Sequence, residues 1–228
     1  MSNKSAFIST SIGKKVLMSL TGLFLITFLL AHLVGNLQLF LPDEGESFNK
    51  YAVFMTTNPL VKTVSYLLYF TIIFHAVWGL LLTLKNKSAR PVAYAKRNTK
   101  ETSPFARNMG ILGTIILVFI VVHMSDFWYE YKFGTLPFVE YDGVEYKNLY
   151  LEVKEAFSNI LYVVVYVISM IAISFHLWHG FQSAFQSLGL NHHKYTPIIE
   201  KIGYGFAIIV PFGFALIPIV FYLKSLSA

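Results

Sequence analysis

Long apolar stretches free of Lys, Arg, Asp and Glu set the pattern of this chain. Five of them approach or exceed the roughly 20 residues needed to cross a bilayer. They are Val16 to Pro42, Thr63 to Leu84, Asn108 to Ser125, Ala156 to His193 (used as far as Ser187) and Ile202 to Leu223. The third is short, and Phe127, Trp128 and Tyr129 extend it as an interfacial aromatic end. The pattern predicts an all-α integral membrane protein, a single domain over residues 1–228. Its five transmembrane helices are expected over 16–41, 60–84, 108–129, 156–187 and 202–223. Pro211 and Pro218 fall inside the last, where neighbouring helices tolerate kinks. The polar lead from Met1 to Lys15 is followed by no small-residue cleavage site, so the first stretch reads as a retained helix. Between the third and fourth spans, Pro137, Gly143 and the aromatics Phe138, Tyr141, Tyr146 and Tyr150 suggest a hairpin or cap.

Composition agrees with lipid as solvent. Charged residues are 13% of the chain, half the usual share of about 25%, and mean hydropathy is +0.58. With 228 residues, five spans leave no room for a separate soluble catalytic domain. The absence of cysteine excludes disulfides, thiolate-ligated haem, cysteine-held iron–sulfur clusters and thioether-attached haem. The net charge of +6 points to lipid headgroups and loop orientation, not nucleic acid.

Lys and Arg in short loops orient the bundle. Lys4, Lys14 and Lys15, then Lys85, Lys87, Arg90, Lys96, Arg97, Lys100 and Arg107, then Lys194 and Lys201 fall on one side. The other side has Lys50, Lys62, Lys132, Lys147, Lys154 and Lys224, with most of the acid: Asp43, Glu44, Glu46, Asp126, Glu130, Glu140, Asp142, Glu145, Glu152 and Glu155. The N-terminus is therefore expected inside and the C-terminus outside.

Histidine is the candidate chemistry. His192 and His193 sit in a polar inner loop and read as solvated. His32, His75, His123, His176 and His179 lie in apolar runs, where an ionisable side chain is costly and marks function. His32 is 16 residues beyond Val16, and His123 is 15 beyond Asn108, both on outward-running helices. His75 is nine residues before Leu84, and His176 eleven before Ser187, both on inward-running helices. At about 1.5 Å per residue, His32 and His123 form an outer pair, and His75 and His176 an inner pair. Two imidazoles at one depth across a bundle suit the two axial positions of a haem iron. Two such pairs suit two stacked haems. Zinc, which takes about four ligands at one point, is disfavoured by the split. Gly79 and Gly180 each follow a candidate ligand by four residues and would let a flat macrocycle approach, although glycine also serves helix packing. His179 shares nearly the same face as His176, so either could ligate. The repeated Phe–His–x–x–x–Gly pattern selects His176 and leaves His179 near the inner surface, within reach of a haem propionate.

The ordered set of local strings resembles a known family. The run from Ser11 to Gly22, Ala31–His32 through Asn36, Val122–His123 through Trp128, and Phe175–His176 followed by Gly180 are similar to the five-helix, two-haem cytochrome b anchor of succinate dehydrogenases and fumarate reductases. The resemblance covers nearly the whole chain. It implies two haem b groups, with His32 and His123 on the outer iron and His75 and His176 on the inner one. It also implies a bacterial cytoplasmic membrane, flavoprotein and iron–sulfur subunits on the inner face, and electron exchange with a quinone, menaquinone being favoured. Ser19, thirteen residues before His32, matches a serine that touches a propionate in a relative. Lys15 and Arg107 are propionate candidates on charge, against the simpler role of orienting the helices. Ser174 stands where some fumarate reductases carry a membrane glutamate, which argues against that proton route here. For quinol oxidation the outer stretch offers Asp43, Glu44 and Glu46 with Asn36 and Gln38, none on a matching motif. Two alternatives remain: a cytochrome anchor of another quinone-linked enzyme, and a haem-free histidine-relay transporter. Against the latter, no charged side chain accompanies the histidines before the helix ends.

Overall fold

A computed structural model of the protein describes residues 10–88 and 104–227. Lys4, Arg90, Lys96, Arg97 and Lys100, which contribute to the orientation argument, lie outside the described residues. Among the described residues five helices are long and apolar enough to cross a membrane, the mark of a multi-pass membrane protein.

The first, α1 (Ser11–Asn36), closes in a 3-10 turn at Leu37–Phe40. A short helix α2 (Glu46–Thr57) leads to α3 (Pro59–Ser88). After α4 (Pro104–Arg107) comes α5 (Met109–His123). It continues through a π-helical segment, Met124–Tyr129, into α6 (Glu130–Phe133). Strands β1 (Phe138–Tyr141) and β2 (Val144–Lys147) form an antiparallel hairpin, with Glu140 opposite Glu145. Helices α7 (Leu149–Ala156), α8 (Ile160–Ser187) and α9 (Thr196–Ser225) complete the chain.

Every span departs from its charge-free run, and the reason is physical. Absence of charge marks the hydrocarbon slab, whereas helical hydrogen bonding continues into the headgroup layer. Thus α1 starts at Ser11, not 16, carrying Lys14 and Lys15 in its first turns, and Thr10 caps it by accepting from the Gly13 N–H at 3.0 Å. Helix α3 runs on through Lys85 and Lys87 to Ser88. Helix α9 begins at Thr196, six residues early, with Pro197 in its first turn, a start signal that the charge criterion passes over. Conversely α8 starts at Ile160, not 156: α7 ends at Ala156, and the Asn159 side chain caps α8 by accepting from the Leu161 N–H at 2.9 Å. Pro211 and Pro218 are both buried within a continuous α9.

The expected cap between the third and fourth spans exists, and it recruits α2, which the apolar pattern does not reveal. Asn49 of α2 is fully buried. Its amide donates to the Tyr141 hydroxyl (3.1 Å) and Asn148 Oδ1 (3.2 Å) and accepts from the Tyr150 N–H (3.0 Å). One side chain thereby ties α2 to the hairpin and to α7. The hairpin turns at Asp142 and Gly143, both with positive φ, as a tight two-residue turn requires. Gly45 has φ +87°, and a Cβ there would lie 2.2 Å from the Tyr150 ring, so glycine is required at that corner.

Burial is uneven among the spans. Helices α8 and α9 bury 39% and 33% of their spanning windows, but α1, α3 and α5 only 6–11%. Helices α8 and α9 pack closely and carry most of the core: Val163, Tyr166, Met170, Ile173 and Leu177 on α8, Ala207, Ile217 and Phe221 on α9. The other three present apolar residues such as Phe70, Ile73, Val118 and Val121 outward, where lipid would meet them. On their inner side they border a cavity.

Candidate functional site

That cavity has a volume of about 1600 Å³ and is lined by all five spans. Protein interiors are close-packed with few voids larger than water, and ordinary ligand pockets measure roughly 300–1,000 Å³. The space is larger than packing voids and ordinary pockets, which makes it the candidate site. His32, His75, His123, His176 and His179 are all on its wall.

The histidines meet in the expected pairs. The His32 and His123 rings lie 5.8 Å apart between centroids, at 83° between planes. His75 and His176 lie 6.4 Å apart at 68°. No group of three or more His, Cys, Asp or Glu side chains converges on a point among the described residues. Two facing pairs, not one cluster, are what the chain builds.

The spacing can be tested against metal ligation. A histidine nitrogen lies about 2.0–2.1 Å from a bound metal, with the ring centroid about 1.1 Å behind it, so two axial rings have centroids about 6.3 Å apart. The inner pair meets this value, and the outer pair is short of it by about half an ångström.

The layers are separated along the bundle. A Cβ on Gly22 of α1 would lie 3.4 Å from His75 Cε1, and one on Gly113 of α5 would lie 4.0 Å from His176 Cε1. His32 is ten residues beyond Gly22 and His123 ten beyond Gly113. Each interval is about 15 Å of helix. Two helices thus give the same separation independently, and each pair is level across the bundle.

Outer contacts fix two of the rings. The Thr21 hydroxyl lies 3.0 Å from His75 Nδ1 and donates its one hydrogen to the Leu17 carbonyl at 2.9 Å. With that hydrogen on the Leu17 or the Met18 carbonyl (3.0 Å), the hydroxyl accepts from Nδ1–H, the tautomer that would leave the Nε2 lone pair free for a metal. Tyr166 has the same relation to His123. Its hydroxyl is 3.5 Å from His123 Nδ1 and donates toward Asp126 Oδ2 at 3.4 Å. His32 Nδ1 faces the Asn36 amide nitrogen at 3.3 Å, and that amide also donates to the His32 carbonyl at 2.8 Å. Buried His176 Nδ1 has no partner among the described residues.

The remaining expected residues divide. Ser19 is buried on the cavity wall, its hydroxyl donating to the Lys15 carbonyl at 2.9 Å. Lys15 and His179 line the cavity as well, His179 one turn beyond His176. Gly180 meets no atom within 4 Å of an added Cβ and so faces open cavity, whereas at Gly79 the tip of Met18 lies 3.0 Å away. Arg107 is exposed at the end of α4 and is not on the cavity wall. His192 and His193 are exposed, their rings 4.4 Å apart, as solvated loop residues.

Two of the acids offered for quinol oxidation, Asp43 and Glu46, have structural partners. Asp43 accepts from the Gly45 N–H (3.1 Å) and Ser47 N–H (3.0 Å) at the start of α2. The Ser47 hydroxyl, opposed by partial burial and aided by these backbone donors, holds its carboxyl below the usual range. Glu46 and Asp142 pair with Lys50, at 2.5 and 3.0 Å, and raise its pKa. Asn36 is on the cavity wall, and Gln38 is not. The acid that does approach the histidines is Asp126, three residues past His123 within the third span. This corrects the expectation that no charged side chain accompanies them. It borders a recess of about 220 Å³ with Glu152, Glu155, Asn159 and Tyr162. Burial, then the charges of Glu130, Glu155 and Asp126, push the Glu152 carboxyl up. Thr21, Tyr166 and Asp126 escape sequence reading because each meets its partner through tertiary packing or the widened π turn.

No family model matches the chain, and neither a curated protein nor a solved structure matches it. What fold and site define is a multi-pass helical membrane protein with two layers of facing histidines around one cavity.

Proposed function

We propose that this chain is the membrane-anchor cytochrome b of a succinate:quinone oxidoreductase, binding two b haems between a quinone and an iron–sulfur subunit. The observation that carries the proposal is the pair of facing imidazole couples, 5.8 and 6.4 Å apart, in two layers of one cavity. Bound at each couple, haem would supply a one-electron carrier within the membrane. The chain's own residues supply the rest. Thr21 and Tyr166 face His75 and His123 at Nδ1, which would leave Nε2 of each ring as the ligating atom. Phe28 and Phe214 beside His32, and Phe119 beside His123, exclude water and lower the local dielectric. Lys15, Ser19 and His179 line the Lys-rich end of the cavity, where Lys15 and His179 would meet carboxylates of the bound group.

The basic ends of α1 and α3 fit an inner face, by the charge rule for loops, in a bacterial cytoplasmic membrane. Flavoprotein and iron–sulfur subunits would dock there, and menaquinone would react near the outer pair. The Asp126–Tyr166–His123 line favours a second reading, a haem-free proton relay.

One preparation separates these. Purified with its partners, the protein should show dithionite-reduced b-type bands, two haems per chain, a covalent-flavin subunit and succinate-dependent dye reduction. A colourless protein refutes the cytochrome reading. Two haems with partners that do not oxidise succinate refute the enzyme assignment alone.

A further inference from the structure

The segment following His123 is unusual. Met124–Tyr129 is π-helical, and single π turns inside helices frequently mark functional sites. The wide turn carries Asp126 to the Tyr166 hydroxyl of α8. Tyr166 is 5% exposed, boxed by Phe119, Phe127 and Phe157 at ring-centroid distances of 5.0, 6.2 and 5.0 Å. Its ring cannot move far, so the hydroxyl is presented to His123 on one side and Asp126 on the other. Its single hydrogen directed to Asp126 leaves a lone pair for His123 Nδ1–H. At 3.5 and 3.4 Å both contacts are long for O–H and N–H bonds. A shift of His123 of a few tenths of an ångström, of the size by which the outer pair misses the axial spacing, would close the first.

The inner pair has no equivalent. His75 meets a neutral threonine whose hydrogen goes to a backbone carbonyl, and His176 Nδ1 has no partner among the described residues. Among the described residues only the outer pair is backed by a carboxylate, and Asp126 also opens on the recess with Glu152 and Glu155.

We propose that Tyr166 is the positioning residue of the outer histidine pair, and that it transmits the Asp126 carboxylate to His123 to set the redox potential of the outer centre. The inference rests on the two-haem reading. A carboxylate behind a ring N–H makes imidazole a stronger donor, which stabilises the oxidised metal and lowers its potential.

The test is redox titration of the whole complex, with low-spin ferric EPR, in wild type, Tyr166→Phe and Asp126→Asn. A His32→Ala sample identifies the outer centre. Tyr166→Phe keeps the boxed ring and removes only the hydroxyl. Both variants should retain two haems and shift the outer reduction equilibrium at least tenfold toward the reduced form, about 59 mV for one electron. The inner potential should stay in place, and the outer EPR signal should move. Outer potentials unmoved in both variants, or equal shifts in both centres, overturn the inference alone. Loss of both haems in both variants overturns it in favour of a purely structural role. Fewer than two haems in wild type overturns the reading beneath it.

Discussion

Gly22 offers the sharpest perturbation of the inner layer. Its Cβ position is 3.4 Å from His75 Cε1, already tight for carbon against carbon. Leucine there would drive three further carbons toward the imidazole. To regain a contact of about 3.5–4.0 Å, the ring must move away by more than about 1 Å. A ring displaced that far cannot keep a nitrogen about 2.0–2.1 Å from a metal, so on the two-haem reading the His75 bond to an inner iron would be lost. The steric cost to the fold is about 1–3 kcal/mol, less than the 5–15 kcal/mol that typically holds a domain together. The protein should therefore still insert and fold. His32 is ten residues farther along α1, about 15 Å away, and should keep its haem. Pyridine haemochrome assay of Gly22→Leu should give about half the wild-type haem per chain, the residue belonging to the outer centre. Gly180→Ala is the companion: it meets nothing within 4 Å, so it should leave the helix intact and reduce inner haem only if a macrocycle lies against it. Full haem content with an unchanged inner spectrum in Gly22→Leu would refute the placement of His75.

The remaining predictions follow from the same geometry. His32→Ala and His123→Ala should each remove the outer haem and spare the inner, and His75→Ala and His176→Ala the reverse, read by spectra at defined potentials; loss of one and the same haem in all four would contradict the layering. Asn49→Ala deletes three hydrogen bonds at a fully buried site and strands the Tyr150 N–H, a cost of about 3–5 kcal/mol. Thermal unfolding in detergent should then start about 10 °C lower, with the haem spectrum of the folded protein unchanged. Asp43→Asn turns one of the two accepting oxygens into an amide and removes the charge at the start of α2, and should weaken it by about 0.3–1 kcal/mol at neutral pH. Because the folded pKa of Asp43 is depressed, its contribution is full above the unfolded value near 3.9 and fades as pH falls through the folded one. Wild type and variant should therefore converge in stability in acid, and a gap independent of pH would contradict the assignment.

Sequence alone determined that there are five spans and that histidines lie inside four of them. Lipid imposes one rule, that polar groups are rare and costly, and this rule is local in sequence, so charge-free runs and misplaced histidines can be read directly. The level of each histidine also followed, because helical rise converts residue number into depth. Helix ends did not follow, since hydrogen bonding continues past the apolar slab through Lys14, Lys87 and Glu200. Helix α2 stayed hidden because its one fully buried side chain, Asn49, is polar and acts only through Tyr141, Asn148 and Tyr150, about a hundred residues away. Tertiary structure alone decided that the five spans enclose a cavity, that His75 meets Thr21, and that a π turn brings Asp126 to Tyr166. Each depends on the rotation of one helix against another. Depth is set by counting along one helix, but facing is set by how neighbouring side chains interlock, which no single helix encodes.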